Sequence, residues 1–346
     1  MIIYYVPLIV CGIFAILSLI LPRKFSNFLF LLLVLFCIII SGTRFESDFD
    51  FDNYVAIFNS IPPLGNGWAE FHLATANLYL EPTFALFVSF LKMIIPDLGI
   101  FIIISAISLL IYYFVFKKNA AYPLLAFLIY LGDGFYLREF TQVRFGLAVA
   151  FGLLSMISLK ENRIFRQWVY ISLACFFHFT AIMLISTNIW VKYVCKRRTI
   201  IAISTILFVF SLIGLFDGLI NYIASIGLAP QRILDHIGTE DAQSISKIAL
   251  IASYGILLWM LKIIPDDDSE FFWVQIYALS FTFLCLFSGF DLMRRVAFYF
   301  SIAVYLVSSV ALKGRKYGFV ILTLAYAVFL FYSRLNILYP YQSWLV

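Results

Sequence analysis

The stretch "FSNFLFLLLVLFCIIISG", residues 25–42, is the clearest structural signal in this chain. It carries no charged residue, and it is long enough to cross the apolar layer of a bilayer as a helix, which takes about 20 residues. The next stretch, "TRFESDFDFDNYVAIF" at 43–58, is polar, and Asp48, Asp50 and Asp52 alternate there with phenylalanines. An apolar span therefore leads directly into a polar loop, whose role depends on its surroundings.

The composition of the whole chain also indicates a membrane protein. Of its 346 residues, 64% are hydrophobic and 12% are charged, whereas soluble domains carry about 25% charged residues. We predict an all-α polytopic membrane protein that forms a single integral membrane domain over 1–346. The net charge of +5 does not indicate nucleic-acid binding, because the basic residues are scattered among short loops. No CxxC spacing occurs, so a disulfide framework or a zinc site has no support.

Hydropathy predicts ten clear membrane spans and two ambiguous segments, which makes about 10–12 transmembrane or re-entrant helices. The clear spans are 2–21, 25–42, 99–116, 122–137, 143–159, 199–217, 247–264, 271–289, 296–312 and 317–338. The first is read as a retained span, since it lacks a basic n-region and a small-residue cleavage site. The ambiguous segments are 82–95, which is short, and 167–191, which basic loops flank on both sides.

Basic clusters predict the orientation of the chain, because they mark cytoplasmic loops. They are Arg23–Lys24, Lys117–Lys118, Lys160–Arg163–Arg166, Lys192–Lys196–Arg197–Arg198 and Lys313–Arg315–Lys316. All five can be cytoplasmic if 82–95 lies at the interface and 167–191 enters and leaves on one side. If both segments cross fully, at least one cluster lies outside. The first alternative is preferred, and it places the loops 43–81 and 218–246 and the connections 132–142 and 290–295 on the external face.

Arginine dominates the predicted external face, while lysine is common on the other face. The external basic residues are Arg44, Arg138, Arg144, Arg232, Arg294 and Arg295. A planar guanidinium binds phosphate or carboxylate in a bidentate manner, which a lysine ammonium does not. We expect this face to bind an anion.

Arg144 opens the apolar run "RFGLAVAFGLL". An ionisable group at membrane depth costs about 2.5–3.5 kcal/mol on insertion scales and is therefore a functional candidate. The structural alternative is that Arg144 snorkels to the interface. Nearby Arg138, with Glu139 and Gln142 between the two arginines, favours function.

Arg294 and Arg295 follow Asp291 within an apolar region, where orientation of the chain does not require them. They point to different helix faces, so we expect one of them to reach the site.

Glu81 and His178 are the candidates for acid–base chemistry. Glu81 precedes Pro82 at a predicted helix start, where a carboxylate that caps the helix is the structural alternative. His178 lies in "ACFFHFTAIML" among aromatic residues and could be a packing residue. At the tip of a re-entrant segment, however, its imidazole would face the external cavity, and imidazole suits proton transfer near neutral pH.

The order of these features resembles the EpsG-like branch of the Wzy-type polysaccharide (O-antigen) polymerases. Members of that family show an Arg-aromatic pair followed by G-x-D-Y-x-x-Y-x-x-x-F. Matching positions in the loop are Arg44, Phe45, Asp50, Phe51, Tyr54 and Phe58. Glu46 and Asp48 replace the glycines of the family pattern, so Asp48 and Asp52 look like local additions.

Four further motifs resemble those of the family, in the same order along residues 40–300. They are "EPTF" at 81–84, "VRFGLAVAFGLL" with Arg144, "ACFFHFTA" at 174–181 with His178, and "RRVAFYF" at 294–300. Phe145 departs from the family pattern, in which glutamine follows the arginine.

The resemblance implies a GT-C-like enzyme of the bacterial inner membrane whose active site faces the periplasm. It would transfer a growing O-antigen, capsule or exopolysaccharide glycan from undecaprenyl pyrophosphate to the non-reducing end of a lipid-linked repeat unit. Arg144 with Arg294 or Arg295 would bind the pyrophosphate, assisted by Arg44 and Arg138, and Tyr54 would line the substrate loop. His178 is the first candidate for the base, and Asp50 or Glu81 is the second.

No cofactor or metal is expected, because a cationic cavity supplies what a metal would supply to a pyrophosphate. A chain-length regulator is a candidate partner, and nucleic acid is not. Two rival functions remain open: a lipid-linked glycan ligase, and a non-enzymatic lipid-glycan flippase or transporter, which would need no base.

Overall fold

The computed structural model describes residues 1–76, 78, 80–194, 196–216, 218–219, 222, 226, 246–266, 268–288, 291–310 and 316–345. Most of the predicted external loop 218–246 lies outside these residues, and Arg232 lies outside them as well. In the described part, α-helices follow one another along nearly the whole chain, and the strand content is a single pair of two-residue strands.

The first eleven α-helices are α1 (Ile2–Leu17), α2 (Arg23–Gly42), α3 (Phe51–Ser60), α4 (Trp68–Thr75), α5 (Pro82–Leu91), α6 (Gly99–Asn119), α7 (Pro123–Tyr130), α8 (Val143–Lys160), α9 (Ile164–Phe177), α10 (Ser186–Tyr193) and α11 (Arg197–Leu212). Further along the described residues are α12 (Lys247–Ile263), α13 (Phe271–Leu286), α14 (Asp291–Ser301), α15 (Ala303–Val310) and α16 (Lys316–Arg334). Other elements are 3-10 helices at Leu64–Asn66, Phe179–Ile185 and Leu335–Ile337, a π-helix at Leu131–Thr141, and strands β1 (Arg44–Phe45) and β2 (Gln342–Ser343).

Three helices of the described part are long and apolar enough to cross a membrane: α2, α6 and α8. At a rise of about 1.5 Å per residue each spans roughly 27–32 Å, close to the thickness of the hydrocarbon layer. Several shorter apolar helices accompany them. The predicted all-α polytopic membrane class is therefore confirmed, while the span count, the GT-C-like arrangement and the orientation stay predictions.

The chain divides into two compact units. The first comprises Met1–Ile182 and Ser308–Val346, and the second comprises Met183–Val307. The prediction of one integral membrane domain over 1–346 stays a prediction.

Basic residues gather at one end of the long helices in the first unit. At one end, Arg23 Nη2 donates to the carbonyl oxygen of Lys117 at 3.4 Å, and Lys118 Nζ lies 2.7 Å from Glu161 Oε1. The hydrogen bond from Lys118 lowers the pKa of the Glu161 carboxyl. Three of the predicted cytoplasmic clusters thus meet at the same end of this unit, opposite the end where α8 begins.

Helices α2 and α6 approach closely at Gly42, where a Cβ atom would lie 2.7 Å from the Cα of Ile102. The loop that follows α2 is tied to the C-terminal segment, because β1 pairs with β2 in an antiparallel register of Arg44 with Ser343. Tyr339 N also donates to Ser47 O at 2.9 Å. The polar loop is therefore held by residues from the far end of the chain.

Three parts of the first unit differ from the sequence prediction. The expected connection at 132–142 is helical, since α7 continues as the π-helix Leu131–Thr141. The expected external loop 43–81 contains α3 and α4. The segment at 167–191 is broken at His178, whose φ and ψ of −155° and 116° are extended, and whether it re-enters the membrane stays a prediction.

The second unit packs α11, α12 and α14 around α13. Trp190 Nε1 donates to the carbonyl oxygen of Gln275 at 2.9 Å, and Gln275 Nε2 donates to the carbonyl oxygen of Val194 at 3.1 Å. In the described part of the predicted span 296–312, the helices α14 and α15 are separated at Ile302.

Candidate functional site

Arg44 is fully buried, and every nitrogen of its guanidinium has a partner. Nε donates to Asp48 Oδ2 at 2.9 Å, Nη1 donates to Ser41 O at 2.6 Å, and Nη2 donates to Phe140 O at 2.5 Å. The guanidinium carbon lies 4.3 Å above the ring of Phe101. We call these five residues the Arg44 clamp, which joins the polar loop, α2, α6 and the π-helix.

Asp48 is as buried as its partner and accepts a second hydrogen bond, from Asp50 N to Oδ1 at 3.1 Å. Burial raises the pKa of Asp48, and the neighbouring Arg44 charge opposes that rise. Both carboxylate oxygens are thus used within the loop, which gives Asp48 a structural role.

Arg144 stands at the second position of α8 in a different setting. Its side chain is 21% exposed, and Nη1 lies 2.5 Å from Glu81 Oε2. Its Nε is buried and has no hydrogen-bond partner among the described residues. A buried N–H without an acceptor is unfavourable, so an anion bound here would supply what this donor lacks.

Glu81 precedes α5 but does not cap it with its side chain. Its Oε1 instead accepts from the backbone N–H of Phe179 at 3.2 Å, while Oε2 contacts Arg144. Thr83 adds a second tie, because its hydroxyl donates to Phe176 O at 2.6 Å. The start of α5 therefore connects Arg144 to the break beside His178.

His178 is half-buried directly after the end of α9. Its Nδ1 lies 2.8 Å from Thr180 Oγ1 and 3.4 Å from Thr180 N. The ring of Phe145 packs edge-on against the imidazole, with centroids 5.5 Å apart.

Tyr54 links the polar loop to Arg144. Its buried hydroxyl interacts electrostatically with Arg144 and with Asp50. Burial raises the pKa of Tyr54 and outweighs the opposing effect of Arg144, so the hydroxyl stays protonated at neutral pH. Asp50 itself is half-buried at the start of α3 and accepts from Asn53 Nδ2 at 3.4 Å.

The structure thus brings five of the predicted site residues together in the first unit: Asp50, Tyr54, Glu81, Arg144 and His178. We call them, with Thr180, the Arg144 cluster. The cluster combines a partly exposed guanidinium, two carboxylates, an imidazole and a phenol, which can bind an anion and move a proton.

The EpsG family model matches residues 27–343, which is nearly the whole chain. The chain belongs to the EpsG family. Membership confirms the resemblance seen in the sequence motifs and indicates a membrane polysaccharide polymerase-like function. Searches of curated proteins and of solved structures return no match.

Other predicted site residues of this EpsG-family chain lie outside the cluster. Arg138 is buried in the π-helix, where its charge interacts electrostatically with Tyr112. Its neighbour Glu139 is buried as well and accepts from Ser108 Oγ at 2.5 Å and from Tyr130 Oη at 2.6 Å. Arg138 and Glu139 therefore belong to the packed interior of the first unit.

The late arginine pair lies in the second unit. Arg295 is half-buried in α14, and the side chain of Arg294 lies outside the described residues. Their predicted roles in binding pyrophosphate stay predictions.

Sequence reasoning had no role for Thr180, although the spacing His-x-Thr in "ACFFHFTA" is the signal that could have indicated one. In the part of the chain that the structure describes, no group of three or more His, Cys, Asp or Glu side chains could hold a metal ion.

Proposed function

We propose that this EpsG-family chain polymerises a lipid-linked glycan. It would transfer a growing chain from undecaprenyl pyrophosphate to the non-reducing-end sugar of a lipid-linked repeat unit. The observation that carries this proposal is the state of Arg144, which is partly exposed, balanced by one carboxylate, and left with a buried Nε that has no hydrogen-bond partner among the described residues.

The transfer makes one bond and breaks another. The acceptor hydroxyl oxygen attacks the anomeric carbon of the donor sugar, and the bond from that carbon to the pyrophosphate oxygen breaks. The pyrophosphate leaves with the electron pair, so its charge increases in the transition state. A fixed guanidinium close to that charge stabilises the transition state, which is the role assigned to Arg144.

The proton of the acceptor hydroxyl goes to a base, for which the Arg144 cluster offers His178, Asp50 and Glu81. Both oxygens of Glu81 already accept from donors, one from Arg144 and one from Phe179 N. Glu81 is therefore the weakest of the three candidates, and His178 keeps first place, with Asp50 second.

The remaining arginines take separate roles in the proposal. Arg44 and Arg138 act by holding the polar loop and the π-helix in place, because both are buried away from solvent. Arg294 or Arg295 keeps the pyrophosphate-binding role that follows from the sequence. The enzyme would lie in the bacterial inner membrane with this chemistry on the periplasmic side, and a chain-length regulator is a candidate partner.

The deciding experiment uses the purified protein, reconstituted in liposomes with an undecaprenyl-pyrophosphate-linked repeat unit and no other enzyme. Products that carry two or more repeats on one lipid support the polymerase. Transfer only to a different acceptor would indicate a ligase, and movement of the lipid across the bilayer without a new glycosidic bond would indicate a flippase. Either of these results would replace the proposal.

A matched test in cells separates Arg144 from other arginines. A deletion strain complemented with Arg144→Gln is expected to make single-repeat glycans only, at unchanged protein level, because the leaving pyrophosphate loses its cation. Arg163→Gln serves as the control, since Arg163 is half-exposed and pairs with Glu161. Normal polymer ladders from the Arg144 variant would exclude this residue from the reaction.

A further inference from the structure

Aromatic rings lead away from the guanidinium of Arg144, at the contact of α5, α8 and α9. The guanidinium carbon lies 5.7 Å from the centre of the Phe84 ring. The Phe84 ring packs against Phe177, with centroids 6.5 Å apart. Phe177 in turn lies 5.4 Å from Phe87 and 5.6 Å from Phe151, measured between ring centroids. A series of aromatic rings therefore begins at the charged group.

Two exposed phenylalanines border this series. The Thr83 hydroxyl donates to Phe176 O at 2.6 Å, which places the start of α5 beside the end of α9. Phe90 follows Thr83 by two helical turns and therefore lies on the same face of α5. Phe176 is 47% exposed and Phe90 is 51% exposed. We call Phe87, Phe90, Phe176 and Phe177 the Phe176 face, an apolar surface that α5 and α9 form together.

The neighbouring charge determines which molecule suits the Phe176 face. The chain is a polytopic membrane protein, and an exposed apolar surface is more stable against hydrocarbon than against water. Lipid chains are therefore its natural cover. Arg144 Nε is buried and has no hydrogen-bond partner among the described residues, so we expect the bound lipid to carry an anionic group at the end that meets Arg144.

A polyprenyl pyrophosphate fits both features better than a phospholipid does. Its pyrophosphate is joined directly to one hydrocarbon chain, so a head group at Arg144 places the first isoprene units over the rings that begin there. A phospholipid carries two chains on a glycerol backbone and a single phosphodiester charge. The pyrophosphate is the stronger anion for a guanidinium, and the single chain is the better match to one series of rings.

We propose that the Phe176 face binds the isoprenoid chain of the lipid-linked substrate, beside the pyrophosphate that Arg144 binds. The inference rests on the proposed function and adds to it a site for the hydrocarbon part of the substrate. The Glu81 carboxylate contacts both Arg144 and the N–H of Phe179. Thr83, in the same turn of α5, holds the carbonyl of Phe176. The charged part and the apolar part of the site therefore share the start of α5.

A photo-crosslink identifies the lipid on this face without any transfer reaction. The variant Phe176→p-benzoylphenylalanine is reconstituted in liposomes of phosphatidylethanolamine and phosphatidylglycerol that contain radiolabelled undecaprenyl pyrophosphate without a glycan. We expect illumination to attach the labelled lipid to the protein, and we expect excess unlabelled undecaprenyl pyrophosphate to suppress the labelling. Phe165 receives the same replacement as a control, because it is 82% exposed and lies at the opposite end of α9, close to Arg163.

Two results of the photo-crosslink would overturn the inference. Equal labelling at positions 176 and 165 would show that the label reports only general exposure to lipid or attraction to a nearby arginine. Attachment of phosphatidylglycerol at position 176 that excess undecaprenyl pyrophosphate does not displace would indicate a phospholipid site instead.

Removal of the cation tests whether the two parts of the site bind one molecule. In the Phe176→p-benzoylphenylalanine background, Arg144→Gln is expected to lower the labelling by undecaprenyl pyrophosphate about tenfold or more, the value of a hydrogen bond to a charged group. The low labelling at position 165 is expected to stay the same. Unchanged labelling at position 176 would separate the Phe176 face from the pyrophosphate and overturn the inference.

Truncation of an exposed ring tests the same site by kinetics. In the reconstituted elongation assay, Phe90→Ala is expected to raise KM about 5- to 10-fold and to leave kcat unchanged, because the lost contact is made equally before and during the reaction. A substrate whose lipid is cut to a single isoprene unit ends before Phe90, which lies about 10 Å along α5 from Thr83. With that substrate, Phe90→Ala and the wild type are expected to have the same KM. Phe165→Ala is the control, and an equal rise of KM with both substrates would assign Phe90 a packing role.

The inference and the proposed function fail in different ways. If the wild-type protein elongates its substrate while labelling at position 176 is not specific, the lipid-chain site is overturned and the polymerase stands. If labelling at position 176 is specific while the wild-type protein does not elongate the substrate, the polymerase is overturned and the site belongs to a protein with a different activity on the same lipid.

Discussion

Arg44 and Arg144 carry the same guanidinium in two unlike settings within one unit of the molecule. Arg44 has an acceptor on each of its three nitrogens, an aromatic ring below it, and no exposure to solvent. Arg144 is 21% exposed, pairs with one carboxylate, and keeps a buried Nε without a hydrogen-bond partner among the described residues.

A structural arginine can thus be distinguished from one that is available to bind a ligand. Removing a buried charge leaves its partners unsatisfied, so the cost falls on folding. A guanidinium with spare hydrogen-bonding capacity at a partly exposed position contributes little to folding, and its charge is available to a ligand. Four predictions test this division of roles.

The largest effect on folding is expected for Arg44→Met. The substitution leaves the Asp48 carboxylate buried without its cation and removes the donors to Ser41 O and Phe140 O. Breaking a buried pair in this way costs about 3–5 kcal/mol. Thermal unfolding of the purified protein in detergent measures this loss of stability, with Arg163→Met as the control. An unchanged unfolding temperature would mean that Arg44 does not support the loop.

Arg144→Gln is expected to act on catalysis instead. We expect the elongation rate to fall about 10²–10³-fold, the usual effect of losing one transition-state donor. The unfolding free energy should change by less than about 1 kcal/mol, because the Glu81 pair is partly solvated. Elongation assays and thermal unfolding on the same preparation check both values. A large loss of stability would place Arg144 with Arg44 as a structural residue.

A charge swap, Glu81→Arg with Arg144→Glu, sharpens the comparison. The double variant restores an ion pair, so it is expected to recover most of the roughly 1 kcal/mol of stability that each single substitution costs. It should stay inactive, because the cation no longer stands at the start of α8. Polymer formation by the double variant would show that the pair matters only for folding.

The smallest effect on stability is expected for Tyr341→Phe, in the C-terminal segment that contacts the loop of the Arg44 clamp. Tyr341 Oη lies 3.1 Å from Ile40 O and 3.0 Å from Thr43 Oγ1. Tyr341→Phe removes both contacts and is expected to cost about 1 kcal/mol of unfolding free energy, with elongation unchanged. Tyr339→Phe is the control, since the Tyr339 side chain is half-exposed. Loss of elongation in the Tyr341 variant would connect the loop to the reaction.

Much of the fold could be predicted from hydropathy alone. The apolar runs at 25–42, 99–116 and 143–159 correspond to α2, α6 and α8, because a helix that crosses lipid must satisfy its backbone internally and be apolar along its length. The π-helix could not be predicted. Its glycines and charges are typical of a connection, and Glu139 is buried only because Ser108 and Tyr130 donate to it.

The candidate site could be predicted only in part, from the order of the motifs. The motif order pointed to Asp50, Tyr54, Glu81, Arg144 and His178, which the first unit brings together. It also pointed to Arg44, and the closeness of Arg138 to Arg144 in the sequence pointed to Arg138; both are buried elsewhere. Beside an apolar run, a charge that binds a ligand and a charge that clamps a loop have the same sequence pattern.

Composition and the order of short motifs were sufficient to predict the membrane class, the family and the set of candidate residues. Which arginine is satisfied and which is available depends on contacts that form in the tertiary structure. The acceptor of Arg44 Nη2 is a carbonyl 96 positions away, and Glu81 is separated from Arg144 by 63 positions. Whether a guanidinium has acceptors and a counter-charge depends on distances in space, and a local motif contains no information about those distances.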